Sequence, residues 1–203
     1  MRIIAGIFKG RKIRAAVGRT TRPTTDRVRE AWASTLASLV GDEDGSFAGL
    51  RAMDLFAGSG SLGFEALSRG AAEVFFVEVL PKAAALIREN AEKLGVDPGR
   101  YQVLAEEAGR VLRRPPRRPF DLIFIDPPYR QNLMAPAIQN ILSKGWLAPK
   151  GIINAEVEKD LKFDPAKAAP ELAVIADRNY GQTRVVLWIR QPPPSFTPEL
   201  STL

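Results

Sequence analysis

From residue 51 onward, short apolar runs alternate with amphipathic segments, and the first junction between them reads DLFAGSGSLGFEA. No other feature narrows the fold as much. RAMDLF, EVFFVE, YQVLAE and FDLIFID read as strands, the last of them apolar enough to be buried on both faces. SLGFEALSRG, PKAAALIRENAEKLG and EAGRVLRR read as the helices between them, the second opened by proline and closed by Gly95. A further helical stretch, LMAPAIQNILSKG, precedes GIINAEV, and ELAVIADRNY and TRVVLWIR then form a hairpin through Gly181. Such alternation predicts a mostly parallel sheet with helices on both faces, closed by an antiparallel strand at one edge.

The 50 residues ahead of this pattern differ in kind. RIIAGIFKGRKIRA suggests a short β-hairpin, VGRTTRPTT a loop, and DRVREAWASTLASLV a helix with Val28, Ala31, Trp32, Thr35, Leu36 and Leu39 on its apolar face. Thr24, Thr25 or Asp26 is placed to cap that helix. Residues 1–29 hold nine Lys and Arg against the single acid Asp26, a charge of +8, whereas the remaining 20 basic and 22 acidic residues sum to −2. A basic arm on a near-neutral body is the footprint of phosphate binding, so Arg2, Lys9, Arg11, Lys12, Arg14, Arg22 and Arg27 are candidate nucleic-acid contacts. A second cluster, Arg110, Arg113, Arg114, Arg117 and Arg118, reads equally well as a solvated loop or as an RNA contact. We therefore expect a basic extension over residues 1–45 packed on the core, a ligand-binding domain over 46–190 and a flexible tail over 191–203. No signal-peptide core or membrane-length apolar run is expected from this pattern, which points to a cytoplasmic protein.

The junction DLFAGSGSLGFEA satisfies G-x-G-x-x-G through Gly58, Gly60 and Gly63, in the required setting of a strand before and a helix after. Glycine lets the chain turn sharply and a ligand approach the backbone. Asp54, at the end of the first strand, would repel a pyrophosphate but attract a cationic amino-acid group. S-adenosylmethionine, with its ammonium and sulfonium, suits that acid better than a dinucleotide does. Glu78 ends the second strand, where a carboxylate accepts hydrogen bonds from a ribose. Glu106 and Glu107 follow the third strand, and either approach to an adenine amino group or a solvated helix start suits them.

The fourth strand ends in Asp126, Pro127, Pro128 and Tyr129. Asp54, Glu78 and Asp126 all fall at carboxyl ends of strands and so are expected to share one crevice. The amino nitrogen of a nucleobase is a poor nucleophile because its lone pair is delocalised into the ring. Acceptors aimed at its protons, the Asp126 carboxylate and a carbonyl of the proline turn, favour a pyramidal and more nucleophilic nitrogen, and Tyr129 offers a stacking face. The chain has neither cysteine nor histidine. That excludes a cysteine nucleophile and zinc thiolate chemistry, and it removes the commonest general base. Methylation of an amino nitrogen needs none of these, whereas carbon methylation of cytosine through a cysteine adduct does. Arg130 lies next to the tetrad and is a candidate for a phosphate flanking a flipped-out base.

DLFAGSG, the acid of FVE and DPPY resemble the motifs of Rossmann-like class I S-adenosylmethionine-dependent methyltransferases, and the tetrad is similar to that of the amino-methylating branch. MRIIAGIFKGRKI, RPTTDRVREA, DLFAGSGSLGFEALSRGA and GWLAPKGIINAE together resemble the bacterial RsmD family, from Met1 to about Arg190. The resemblance implies a guanine-N2 methyltransferase of small-subunit (16S) ribosomal RNA. It implies a seven-stranded sheet with a hairpin–helix extension, Asp126, Pro127, Pro128 and Tyr129 at the target guanine, and Asp54, Phe56, Gly58, Gly60, Glu78, Glu107 and Ala108 at the cofactor. We expect a monomer working on ribosomal RNA, with neither metal nor membrane. Glu107 stands where the family has aspartate, and Trp32 and Ala33 where it has a small residue and an aromatic. The competing readings are a DNA adenine-N6 methyltransferase, a non-catalytic RNA-binding protein with a vestigial cofactor fold, and a nicotinamide-dependent oxidoreductase. The first is disfavoured by the lack of room for a target-recognition region, the second by the intact motifs, and the third by Asp54.

Overall fold

The structure, a computed structural model, describes residues 1–15, 33, 35–39, 46–128, 131–159, 164, 167, 169 and 171–190. Seven strands form one sheet: β1 (Arg51–Asp54), β2 (Glu73–Val77), β3 (Tyr101–Leu104), β4 (Phe120–Ile125), β5 (Leu147–Glu158), β6 (Leu172–Tyr180) and β7 (Thr183–Arg190). Their order is β3-β2-β1-β4-β5-β7-β6. The first five pair in parallel, and β7 runs antiparallel to both β5 and β6. The expected hairpin therefore closes the sheet, with the reversed strand slotted between β5 and β6. Strand β1 lies between β2 and β4, and this is where the winding changes direction.

Helices α1 (Ser61–Ser68), α2 (Pro81–Leu94), α3 (Ala108–Leu112) and α4 (Met134–Ser143) cover the sheet. One apolar layer joins Phe64, Leu67, Ile87 and Leu94 of α1 and α2 to Phe76 and Phe124 of the sheet. The other joins Val111, Ile138 and Ile141 of α3 and α4 to Ile123, Trp146 and Trp188. The periodic segments end where their chemistry dictates. Helix α2 opens on Pro81 and closes on Gly95 at φ 67°, in the left-handed region that glycine tolerates. Strand β5 begins earlier than its apolar run does. Lys150 adopts φ 62°, and Phe120 pairs with Leu147 while Leu122 pairs with Ile152. This bulge hides the strand's first residues from any period-2 reading.

The N-terminal hairpin is minimal. Arg2 and Lys12 form an isolated antiparallel bridge, and the Ile3 N–H donates to the Arg11 carbonyl at 3.0 Å. What holds it is α1. The fully buried Glu65 carboxylate accepts the N–H of Ile4 at 2.9 Å and of Ala5 at 3.1 Å, and pairs with Arg69 at 3.1 Å. The Ser68 hydroxyl donates to the Ala5 carbonyl and accepts from the Phe8 N–H at 2.9 Å. Gly6 makes this approach possible, since a Cβ there would lie 1.8 Å from the Ser68 carbonyl oxygen. Ile3, Phe8 and Ile13 complete the seat from the apolar side.

Ala33 and residues 35–39 are helical, which agrees with the expected helix as far as it is described. Its buried residues are Ala33 and Leu36, whereas Leu39, expected on the apolar face, is 44% exposed. The remainder of that helix, its candidate caps Thr24, Thr25 and Asp26, and the tail of residues 191–203 lie outside the described residues. No helix among the described residues is long and apolar enough to cross a membrane.

Replacing Glu65 with alanine leaves two amides and the Arg69 guanidinium without their acceptor, and breaking so buried a pair costs about 3 kcal/mol. Urea unfolding should show that loss, and amide exchange at Ile4 and Ala5 should rise to the rate of a free chain. Unchanged protection at those two amides would mean that the hairpin is seated by other contacts.

Candidate active site

The crevice lies beyond the carboxyl ends of β1, β2 and β4. Asp54 is the last residue of β1, Glu78 follows β2 and Asp126 follows β4. The three carboxylates are close enough that the charges of Asp126 and Glu78 both act on Asp54. Their convergence is what the strand ends predict.

Each of the two buried acids holds backbone. Asp54, 2% exposed, accepts the Gly63 N–H through Oδ2 at 3.0 Å, one of the otherwise unpartnered amides of the first turn of α1. Glu78, also 2% exposed, accepts the Gly58 N–H at 2.8 Å and the Leu80 N–H at 2.9 Å. The glycine loop is thus fixed from below by Asp54 and from the side by Glu78. Gly58 and Gly60 sit at φ 57° and 84°, conformations that a Cβ disfavours. Gly63 serves a different purpose, because a Cβ there would meet the Phe76 ring at 2.2 Å and Val74 at 2.9 Å. It lets α1 lie directly on β2.

A cavity of about 340 Å³ opens beside the loop. Phe56, Val77, Val79 and Ala108 supply apolar walls, Glu78, Glu106 and Glu107 the acids, and Pro128 and Gln131 the far rim. Of the expected cofactor residues, Phe56, Glu78, Glu107 and Ala108 line this cavity. Asp54, Gly58 and Gly60 are not among its lining residues, and Asp54 holds the Gly63 N–H behind it. Glu107 occupies the cap position of α3 without a side-chain capping bond. Glu106 is engaged by Arg114 at 2.9 Å and by Arg110 at 3.7 Å, so part of the second basic cluster is tied to an acid at the cavity wall. Pro127 and Pro128 are partly buried beside Asp126. Tyr129 and Arg130 lie outside the described residues, as do Arg22 and Arg27 of the arm.

The described cations of the arm divide by position. Arg11 donates its guanidinium to the carbonyls of Leu94, at 2.6 Å, and Lys93, closing the C-terminus of α2. Arg14 pairs with Glu89 on the same helix. Lys9 and Lys12 are exposed, and Arg2 lies in the bridge to Lys12. Three residues that sequence reasoning passed over seat this arm: Glu65, Ser68 and Asn90. Their only signal is polarity on otherwise apolar helix faces.

The chain is similar to known proteins over most of its length. The family model described as Conserved hypothetical protein 95 matches residues 1–189. Ribosomal RNA small subunit methyltransferase D of Haemophilus influenzae is 37% identical over 79% of this chain and 80% of its own. Its Escherichia coli namesake is 36% identical over 82% and 80%. The chain belongs to the RsmD family. It is a methyltransferase. A solved Escherichia coli structure described as methyltransferase yhhF superposes with a TM-score of 0.79 at 31% identity, covering 95% of this chain and 99% of that one. The Thermus thermophilus 16S rRNA N2 methyltransferase RsmC, solved with AdoMet and guanosine, shares the fold with a TM-score of 0.66 at 21% identity, over 87% of this chain and 45% of that one.

Burial pushes the Asp54 carboxyl up to about 7; the Gly63 N–H opposes this, and the charges of Asp126 and Glu78 add to it. Between the unfolded value, about 4, and about 7 in the fold, the native state holds the extra proton. Stability arising from this group therefore falls as pH rises across that window. Asp54→Asn keeps an acceptor for Gly63 and removes the titration. Urea unfolding at pH 5 and pH 7.5 should show the wild type losing stability relative to the variant, and parallel curves would mean that Asp54 ionises as it does in water.

Proposed function

We propose that this RsmD-family enzyme transfers a methyl group from S-adenosylmethionine to the exocyclic N2 amino group of a guanine in small-subunit ribosomal RNA. The observation that carries the reading is Asp126, which follows β4 beside β1 and is near enough for its charge to act on Asp54, with Pro128 of the same turn lining the cavity that Glu78 lines. The cavity fits an adenosine-like ligand. Its volume of about 340 Å³ is that of a small-molecule site, with apolar walls for a flat ring and an acid for a ribose. Phe56, Val79, Ala108 and Glu78 would hold that part of the cofactor, with Glu107 beside the ring.

When bound, S-adenosylmethionine supplies a methyl group made electrophilic by its sulfonium. The chain's own residues then have to align and prepare the nitrogen. The Asp126 carboxylate accepts a hydrogen bond from one amino N–H. A carbonyl of the Pro127–Pro128 turn accepts a hydrogen bond from the other, which localises the lone pair on nitrogen. Tyr129 stacks on the base, and Arg130 neutralises a flanking phosphate. The negative potential of three converging acids favours a cationic donor over a pyrophosphate. The absence of cysteine and histidine costs this chemistry nothing.

Residues 1–45 form the RNA-facing extension in this reading, and residues 46–190 the catalytic body. Lys9 and Lys12, exposed on the seated hairpin, are the described cations best placed for phosphates. A monomer acting on the assembled small subunit in the cytoplasm is the proposed setting. Arg2, Arg22 and Arg27 extend the same basic surface in sequence.

Labelled methyl transfer to RNA, DNA and unmethylated small subunits, followed by nucleoside analysis, tests the reading. The expected product is N2-methylguanosine in RNA, and label recovered as N6-methyladenine in DNA would overturn it. Asp126→Ala should slow transfer about 10²–10⁴-fold while leaving cofactor affinity nearly intact; an equal loss of both would merge the two subsites. Replacing Lys9 and Lys12 together with alanine should flatten the salt dependence of RNA binding by about two counterions. An unchanged slope would remove them from the interface.

A further inference from the structure

Asn90 is completely buried on α2, between two segments that the proposed function keeps apart. Its Nδ2 donates to the Ser59 carbonyl in the glycine loop at 3.1 Å and to the Arg14 carbonyl in the arm at 3.0 Å. Its Oδ1 accepts the Arg14 N–H at 2.9 Å. The amide side chain therefore pairs with Arg14 on both sides, as a neighbouring strand would, while gripping the loop with its remaining donor. Ser59 follows Gly58, whose N–H is held by Glu78. A continuous set of contacts thus runs from the arm through Asn90 and the glycine loop to the acid that lines the cavity. The same helix is gripped twice more by the arm, through Arg11 at its C-terminus and through Arg14 at Glu89.

We propose that Asn90 is a positioning residue that makes seating of the basic arm and the cofactor-binding geometry of the glycine loop a single equilibrium. The inference rests on the reading above, in which the arm meets RNA and the loop meets S-adenosylmethionine. Two states are involved. With the arm seated, Asn90 spends one donor on Arg14 and one on Ser59, and the loop is held. With the arm released, a fully buried amide loses two of its three bonds, and the enclosure that keeps it directed at Ser59 opens. RNA that holds the arm down then favours the loop, and cofactor that holds the loop favours the arm, by the same factor. Arg11, on the carbonyls of Lys93 and Leu94, ties the last turn of the same helix to the arm.

The test measures RNA affinity with and without cofactor, and cofactor affinity alone, in the wild type and in Asn90→Leu, a substitution of similar size. In the wild type, saturating cofactor should tighten RNA binding by about fivefold or more. In the variant that ratio should fall to about one and cofactor binding should weaken about tenfold, the cost of one lost buried hydrogen bond. A packing defect alone would lower stability but leave the ratio as it is in the wild type. A second measurement needs no variant: cofactor added to the wild type should slow amide exchange at Arg14, which does not line the cavity. Wild-type protein that methylates RNA yet shows a ratio of one, a ratio preserved in Asn90→Leu, or no change at Arg14 overturns the coupling. Wild-type protein that binds cofactor but never methylates RNA overturns the functional reading instead.

Discussion

Two buried carboxylates hold the first strand–helix turn by its amide hydrogens, and the rest of the site depends on that arrangement. Asp54 takes the Gly63 N–H and Glu78 takes those of Gly58 and Leu80. A loop this rich in glycine has little conformational preference of its own and loses much entropy on ordering. The acids supply the order that side chains of the loop cannot. They also set the potential. With Asp126 nearby, the burial that makes these bonds strong is the burial that raises the Asp54 pKa. A cationic ligand above the loop relieves that strain on the carboxyl, whereas an anionic one would add to it. Structural support and ligand preference are one electrostatic fact here.

The sheet converts that fact into a site. Because β1 lies between β2 and β4 at the change of winding, residues from three strand ends meet without any of them leaving regular structure until its last position. Arg51 secures the opposite ends of the same strands. Its guanidinium lies 4.5 Å from the Phe120 ring centroid, and it donates to the Arg118 and Pro119 carbonyls at 2.9 and 2.8 Å and to Glu73 at 2.8 Å. One end of the central strand is thus clamped by a cation between aromatic rings and backbone carbonyls. The other carries the acids.

Much of this is legible in the chain because it is local. The strand–helix alternation, the glycine spacing and the acid at each strand end are periodic or adjacent, so the crevice of Asp54, Glu78 and Asp126 follows from the sequence. The structure gives Asp54 a supporting part, as the acceptor of the Gly63 N–H, that spacing alone does not contain. The third glycine shows a similar limit. Gly63 completes the motif in sequence, but its reason is the Phe76 ring, 13 residues along the chain. The seat of the hairpin is not legible at all. Glu65 and Ser68 meet Ile4, Ala5 and Phe8 across about 60 residues, and nothing in EALS distinguishes a buried acid from a solvated one. The β5 bulge at Lys150 is hidden for the opposite reason: it breaks the very period by which strands are read.

The arm's charge, the most conspicuous feature of the composition, acquires a second meaning from these contacts. Arg11 is engaged with carbonyl dipoles at the end of α2 and Arg14 with Glu89, so a count of cations overstates the charge left for a polyanion. What remains is a positive surface whose backbone is bolted to α1 by Glu65 and to the glycine loop by Asn90. Basic arms that only need to bind phosphate can stay loose, since counterion release does not depend on a fixed geometry. An arm held by buried side chains on two helices gives up that freedom. If the arm binds phosphates as proposed, the advantage that offsets the ordering entropy is registration: phosphates fixed relative to α2 would be fixed relative to Glu78 and, through β1, relative to Asp126. In the proposed reading, where one weakly nucleophilic nitrogen has to be aligned, the seat of the arm would be part of the catalytic geometry.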